Sequence, residues 1–288
     1  LVGSEMCIRD SLDNIRFTYI YLRRQTEADI AMEVRDSIEK DTVLEGLKIP
    51  QWSRRSKDKM NNPIKKLTKR EWLIWLCSLI IVLVSNLLTA DLDILTLAAA
   101  LIGVTSLIFA AKGNVWAQIL MVVFSILYGI ISFRFRYWGE MITYLGMTMP
   151  MAVWSAITWF KNPSEGNSSE VAIQKLTRRH VIWLTVSTVL VMVVFYYILM
   201  ILDTPNIVFS TISIVTSFLA AALTMLRSSY YAVGYAANDV ILIVLWVLAS
   251  LENPAYIPVV VNFVIFFAND MYGFVSWKKR EVRQAVDL

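Results

Sequence analysis

Long apolar runs separated by short polar turns fill most of this chain. A helix needs roughly 20 residues, at about 1.5 Å rise per residue, to cross the hydrocarbon of a bilayer. Eight runs have about this length: Trp72–Ala90, Leu92–Ala111, Asn114–Phe133, Glu140–Phe160, Val181–Leu202, Asn206–Leu226, Tyr230–Leu251 and Tyr256–Trp277. The pattern predicts an all-α membrane protein of eight transmembrane helices, in which the polar loop after the fourth run is the one long connection.

The composition agrees with this interpretation. Hydrophobic residues make up 57% of the chain, charged residues make up 17%, and the mean hydropathy is +0.57, far from the averages of soluble proteins. The net charge is +4, but the basic residues are at helix ends and in loops, so the charge does not indicate a nucleic-acid partner. The expected partners are the lipid bilayer and a small-molecule substrate, and assembly into a homo-oligomer stays open.

The basic residues alternate between the two sides that the eight runs define. If the N-terminus is cytoplasmic, 18 Lys and Arg residues near helix ends are on that side, and Arg134 and Arg136 are on the other. The outer turns carry acids instead, namely Asp91, Asp93, Asp203 and Glu252. Cytoplasmic loops of membrane proteins carry the excess of Lys and Arg, so both termini are predicted to be cytoplasmic.

The chain divides into a membrane domain and polar ends. Leu1–Ser11 resembles one translated frame of an adapter used to prepare sequencing libraries, and we expect it to be foreign to the fold. Residues 12–70 are expected to form a polar, basic cytoplasmic arm. Residues 71–280 are the predicted transmembrane domain and residues 281–288 a cytoplasmic tail, while the true start codon stays open.

The chain carries little of the chemistry that enzymes and metal sites need. Its two cysteines, Cys7 and Cys77, and its one histidine, His180, form neither a metal-ligand pattern nor a nucleophile–base pair. It also has no glycine-rich nucleotide loop of the Walker type. We predict no enzymatic activity, no catalytic residue, no metal and no cofactor, with His180 at a membrane interface.

Two related triplets of helices are visible in the sequence. Helices two to four cover residues 92–160 and end in Ser155–Lys161, SAITWFK, whereas helices six to eight cover residues 206–277 and end in Gly273–Lys278, GFVSWK. Each triplet opens with an alanine-rich helix and a short basic turn. The triplets start four helices apart and so have the same orientation. This predicts a parallel repeat joined by a linker helix at residues 181–202, with the first helix as an extra element.

Polar side chains inside the predicted bilayer concentrate in the later helices of each triplet. Such groups are costly there and usually face a cavity or a partner. Two sets each follow one face of a helix: Tyr231, Tyr235, Asn238 and Asp239 on the seventh helix, and Asn262, Asn269 and Gly273 on the eighth. Rings can stack on a flat heterocycle and amides can bond its polar edge, so these stripes predict a slot for a small molecule.

The predicted site is between the third, fourth, seventh and eighth helices. Its candidate substrate-binding residues are Tyr235, Asn238, Asp239, Trp246, Asn262, Asn269, Tyr272, Gln118, Tyr128 and Tyr144. An alternative is that the amides, above all those of Asn86 and Asn262, only form hydrogen bonds that join neighbouring helices. Each such bond stabilises the helix packing by about 0.6 kcal/mol. A pathway for simple cations or protons along Asp239 and Asp270 also stays open.

Two blocks of the sequence resemble a known family. Tyr137–Met151, YWGEMITYLGMTMPM, followed by Thr158–Pro163, and the closing block Asn269–Trp277, NDMYGFVSW, resemble the PnuC nicotinamide riboside transporters, particularly their bacterial members. The resemblance covers about Glu71–Arg280. It implies a multi-pass protein of the bacterial inner membrane with the 3+1+3 helix plan that PnuC proteins share with the SWEET sugar transporters.

The resemblance implies uptake of nicotinamide riboside, a vitamin B3 precursor for NAD biosynthesis, by facilitated diffusion, with a cytoplasmic kinase trapping the product. The chain departs from the family in one respect. Its members commonly have tryptophans in the seventh helix shortly before an Asn or Asp, where this chain has Tyr231 and Tyr235. A related vitamin, thiamine or riboflavin, and an ion-coupled small-molecule transporter therefore stay open as alternatives.

Overall fold

A computed structural model describes residues 63–88, 93–134, 138–164, 167, 169–204 and 206–286. The predictions for Leu1–Ser11 and for nearly all of the arm fall outside these residues. The described α-helices are α1 (Lys69–Leu87), α2 (Ile94–Ala111), α3 (Trp116–Arg134), α4 (Trp138–Ile142), α5 (Met149–Lys161), α6 (Arg178–Ile201), α7 (Ile207–Met225), α8 (Tyr231–Glu252) and α9 (Ile257–Val286). A π-helix, Thr143–Thr148, joins α4 to α5, and 3-10 turns cover Pro63–Lys66 and Pro254–Tyr256.

The helices agree with an all-α membrane protein. Within the described ranges, seven helices are long and apolar enough to cross a membrane: α1, α2, α3, α6, α7, α8 and α9. The predicted fourth crossing is built differently, because Trp138–Lys161 is helical throughout but divided into α4, the π-helix and α5. At the C-terminal end, α9 continues to Val286 and so includes most of the predicted tail.

Pro150 accounts for the π-helix. Proline has no N–H, and its ring clashes with the carbonyl four residues earlier, so a regular α-helix cannot run through it undisturbed. The Met149 N–H donates to the carbonyl oxygen of Tyr144, five residues earlier, as in a π-helix. Segments of this kind are frequent at functional sites, and Thr143 and Tyr144 line the cavity described below.

Side-chain caps explain where two of the long helices begin. Thr68 Oγ1 accepts a hydrogen bond from the Glu71 N–H at 3.3 Å, and Glu71 Oε2 accepts one from the Thr68 N–H at 2.7 Å. This capping box starts α1. Thr177 and His180 form the same arrangement at the start of α6, so the one histidine of the chain is a helix cap.

The helices form one bundle whose two ends differ. α8 packs against α7 and α9, α2 packs against α3 and α9, α1 packs against α2 and α9, and α6 packs against α7. We call the end with the turns at Gly113 and Arg227 the loop end, and the end with Trp138 and Asp203 the cavity end. The largest described cluster of buried apolar side chains is at the loop end, so the helices are closely packed there.

The connection between α5 and α6 packs onto the loop end. The Val171 N–H donates to Gly113 O at 2.9 Å, and the Gln174 N–H donates to Arg227 O at 3.0 Å. The long polar loop of the sequence is therefore a packed connection that contacts the turn after α2 and the turn after α7.

A glycine at position 234 lets α8 approach α7 closely. A Cβ atom there would be 2.8 Å from the Cα of Ala220 and 3.0 Å from its Cβ, so the backbone would have to move. We expect Gly234→Ala to lower the free energy of unfolding by about 1–3 kcal/mol through overpacking, measured as a lower Tm of the purified protein. Gly146→Ala is the control, because its Cβ would meet only Ile142 Cγ2 at 3.9 Å. Equal losses of Tm in both variants would contradict this account.

Candidate functional site

A cavity of about 360 Å³ is present between the helices toward the cavity end. Its lining comes from α3, α4, the π-helix, α7, α8 and α9, and from the end of α6 with the turn that follows it. We call it the main cavity. Binding pockets for small molecules have volumes of about 300–1,000 Å³, so the main cavity is large enough for one small molecule.

A smaller cavity of about 60 Å³, the inner cavity, continues the main cavity deeper into the bundle. Residues that line both cavities are Tyr144, Ser217, Asn238, Leu242 and Phe263. The rest of the inner lining comes from α2, α3, the π-helix, α8 and α9. The two cavities thus form one continuous space, which we call the hollow. It narrows from the cavity end toward the middle of the bundle.

Among the described residues, four acidic ones line this hollow. Glu140 and Asp203 line the main cavity, and Asp239 and Asp270 line the inner cavity, where their carboxyl groups are within hydrogen-bonding reach of each other. Lys, Arg and His are absent from the described residues that line either cavity. The electrostatic field of such a lining favours a cation and disfavours an anion.

Two buried polar atoms at the inner cavity have no hydrogen-bond partner among the described residues, Asp239 Oδ2 and Thr148 Oγ1. Nearly all buried polar atoms in proteins bond to protein or to ordered water. The inner cavity has room for about two water molecules. Water, or a polar group of a molecule that reaches this depth, would supply the hydrogen bonds that both atoms lack.

Aromatic rings provide flat apolar surfaces in the same hollow. The ring centroids of Tyr128 and Tyr144 are 4.5 Å apart, and the Phe124 ring is 5.4 and 5.9 Å from them. Trp246 also lines the main cavity, and its ring is 5.4 Å from that of Tyr256. Rings of this kind stack readily on a heterocycle.

Residues of α7 orient the amide of Asn238. Its Oδ1 atom accepts hydrogen bonds from Ser213 Oγ at 3.2 Å and from Thr216 Oγ1 at 3.0 Å. With the oxygen engaged in this way, the amide offers its N–H groups to an acceptor on a bound molecule.

Six of the ten predicted site residues line these cavities: Tyr128, Tyr144, Tyr235, Asn238, Asp239 and Trp246. The other four, Gln118, Asn262, Asn269 and Tyr272, line neither cavity. Their role as substrate ligands stays a prediction that their positions do not support.

Three of these four residues bond α9 to α1: Asn262 with Asn86 at 3.3 Å, Asn269 with Ser78 at 2.9 Å, and Tyr272 with Glu71 at 3.2 Å. The amide stripe of α9 therefore faces the first helix. This arrangement agrees with the alternative that these amides join helices.

The predicted site omitted several polar residues that the structure places at the cavities, among them Glu140, Asp270, Ser213 and Ser217. Consecutive residues of a helix project about 100° apart, so Asp270 faces the cavity although Asn269 faces α1. The serines leave a weak sequence signal, because Ser210, Ser213 and Ser217 share one face of a mostly apolar helix.

Comparison with known proteins connects this hollow bundle to a transporter family. A family model described as nicotinamide mononucleotide transporter matches residues 93–279. The nicotinamide riboside transporter PnuC of Neisseria mucosa is 26% identical over 187 residues, which is 63% of this chain and 70% of that protein. A crystal structure of the vitamin B3 transporter PnuC has a TM-score of 0.67 at 23% identity and covers 82% of this chain and 99% of its own. At that identity the structural likeness concerns the fold.

Proposed function

Because the chain belongs to the nicotinamide mononucleotide transporter family, as its resemblance to PnuC indicated, we propose that it is a membrane transporter that takes up nicotinamide riboside. The acidic, ring-lined hollow among membrane-spanning helices carries this proposal. Nicotinamide riboside is a permanent cation with a flat pyridinium ring, a carboxamide and ribose hydroxyls. Each of these groups has a counterpart in the lining.

The pyridinium ring would stack on Tyr128 or Tyr144, close to the acid pair at the inner cavity. The N–H groups of Asn238 would donate to the carboxamide oxygen. Serines of α7 would bond the ribose hydroxyls, and Trp246 and Glu140 would contact the molecule on its way in.

The helix layout supports transport by alternating access. We infer eight crossings in two parallel triplets, α2–α5 and α7–α9, joined by α6 and flanked by α1. The turns that follow α2 and α7 agree with a repeat, because Gly113 and Arg227 have positive φ values of 66° and 56° and each N–H donates to the carbonyl three residues earlier. Rocking of one triplet on the other would expose the hollow to each side in turn.

The proposed location is the bacterial inner membrane, with the loop end and both termini in the cytoplasm. The main cavity would then face outward, where the riboside arrives. Transport would be facilitated diffusion, and phosphorylation by a cytoplasmic kinase would trap the product. Such a carrier needs neither ATP nor an ion gradient.

Flux into proteoliposomes tests this function. We expect labelled nicotinamide riboside to equilibrate across the membrane without any ion gradient, and protein-free liposomes to take up none. Asn238→Ala is expected to raise the Kd about five-fold or more, because a hydrogen bond to the substrate is lost. If the purified protein binds none of nicotinamide riboside, thiamine and riboflavin, the proposal of vitamin uptake fails.

Ion-coupled transport is the second candidate mechanism. Asp239 and Asp270 place two carboxyl groups side by side inside the bundle, and ionisable groups within the membrane often form proton relays. A flux that requires a proton or sodium gradient would favour this mechanism over facilitated diffusion. Thiamine, a cationic ring compound, is the second candidate substrate on the strength of the same acidic lining.

A further inference from the structure

Two buried tryptophans connect the triplets reciprocally at the loop end. Trp159 Nε1, near the end of α5, donates to the carbonyl oxygen of Thr224 at 2.9 Å, near the end of α7. Trp277 Nε1, on α9, donates to the carbonyl oxygen of Ala110 at 2.8 Å, near the end of α2. The ring centroids of the two indoles are 5.4 Å apart. The last helix of each triplet is thus bonded to the first helix of the other.

The two bonds have equivalent positions. Ala110 and Thr224 each precede the last residue of their helix by one position. Each carbonyl also accepts a backbone N–H from three residues later, so the indole N–H uses the second lone pair of the oxygen. The exposed fractions of Trp159 and Trp277 are 1% and 0%. A hydrogen bond requires a defined direction between donor and acceptor. These two buried bonds therefore fix the relative orientation of the two triplets more strictly than apolar packing alone does.

The pair is located between the hollow and the loop end. Leu107 and Tyr235 line the inner cavity. Ala110 follows Leu107 by three residues on α2, and Tyr231, whose ring is 4.6 Å from that of Trp277, precedes Tyr235 by four residues on α8. These separations are about one helical turn. A molecule in the inner cavity therefore meets the tryptophan layer before it can leave at the loop end.

We propose that Trp159 and Trp277 form a latch that keeps the loop end closed while the main cavity is accessible from the other end. The inference rests on the proposed function, transport by rocking of two triplets. Opening the loop end breaks both N–H···O bonds and separates the rings, whereas contacts within each triplet persist. The two bonds stabilise only the closed form, so they shift the population toward it.

Cysteine labelling from one face of the membrane tests the latch. Cys7 and Cys77 are the only cysteines of the chain, so Cys7→Ser and Cys77→Ser give a background without thiols. Leu107→Cys then places a single reporter thiol at the inner cavity. A membrane-impermeant maleimide is applied to inverted vesicles, which present the cytoplasmic face, or to right-side-out vesicles.

The latch variants are Trp159→Phe and Trp277→Phe, each added separately to the reporter chain. Phenylalanine keeps an apolar ring and removes the N–H donor, and the two variants stand in for each other if one does not fold. Trp154→Phe is the matched control, because the Trp154 side chain is on the same helix as Trp159 and is 58% exposed.

We expect each latch variant to raise the labelling rate from the cytoplasmic face about five-fold, the effect of one net hydrogen bond. Labelling from the other face and the rates of the control should not change. No rise from the cytoplasmic face in either variant overturns the latch, and so does an equal rise from both faces, which signifies general loosening. The readout needs no substrate, so a one-sided rise in a chain that does not carry nicotinamide riboside would support the latch and contradict the proposed substrate.

Discussion

Nicotinamide mononucleotide is expected to inhibit the uptake of labelled nicotinamide riboside at least about 100-fold less well than unlabelled riboside does. The two compounds differ by one phosphate, which carries about −1.5 to −2 charges at pH 7. That anion would enter a hollow lined by Glu140, Asp203, Asp239 and Asp270 and by no basic residue among those described. Like charges brought together at a binding site cost several kcal/mol, and about 2.8 kcal/mol already corresponds to 100-fold.

Competition in proteoliposomes measures this ratio directly, since no cellular phosphatase can convert one compound into the other. Glu140→Gln is the companion variant, because it removes one ionisable carboxyl group from the main cavity and keeps the shape of the side chain. We expect this variant to reduce the difference in inhibition between the mononucleotide and the riboside several-fold without abolishing it. Equal inhibition by the two compounds would contradict binding in the acidic hollow.

Replacing both inner acids, by Asp239→Asn together with Asp270→Asn, is expected to raise the KM for nicotinamide riboside roughly 30-fold. Removing the partner of a buried charge costs about 2 kcal/mol or more. Each single variant should have a much smaller effect. Two neighbouring carboxyl groups share a proton more readily than they both ionise, so either acid alone can still supply the one negative charge.

Asp203→Asn is the matched control for the acid pair. Asp203 is exposed at the mouth of the main cavity, where solvent screens its charge. Its φ of 49° is one that asparagine also adopts readily, so we expect the KM to change less than about three-fold. A double inner variant with an equally small change, at an unchanged Tm, would show that the pair does not face the cation.

Much of the fold could be predicted because the bilayer imposes a length on every crossing. Each predicted run from Trp72 to Trp277 corresponds to helical structure within the described residues. The π-helix at Thr143–Thr148 was not predicted, although Pro150 was visible, because a proline can also kink a helix or end it. The polarity of the long loop also does not reveal that the N–H groups of Val171 and Gln174 bond it to the turns after α2 and α7.

The site was harder to predict than the fold because a stripe of polar residues does not indicate whether it faces a cavity or a neighbouring helix. The stripe of α8 faces the hollow through Tyr235, Asn238 and Asp239, whereas that of α9 faces α1 through Asn262 and Asn269. Both stripes follow one face of a helix, and both contain asparagine. The neighbours of each helix made the difference, and neighbours depend on contacts between residues that are far apart in the chain.

The sequence by itself determined that the chain crosses a membrane many times, which residues are too polar to face lipid, and to which family it belongs. These properties follow from composition, run length and local motifs, and they hold however the helices are arranged. Only the tertiary structure decided that Asp270 joins Asp239 at one cavity, and that Trp159 and Trp277 donate hydrogen bonds to the ends of α7 and α2. The reason is that a helix presents several faces at once, and only packing selects the face that meets a cavity, a partner helix or lipid.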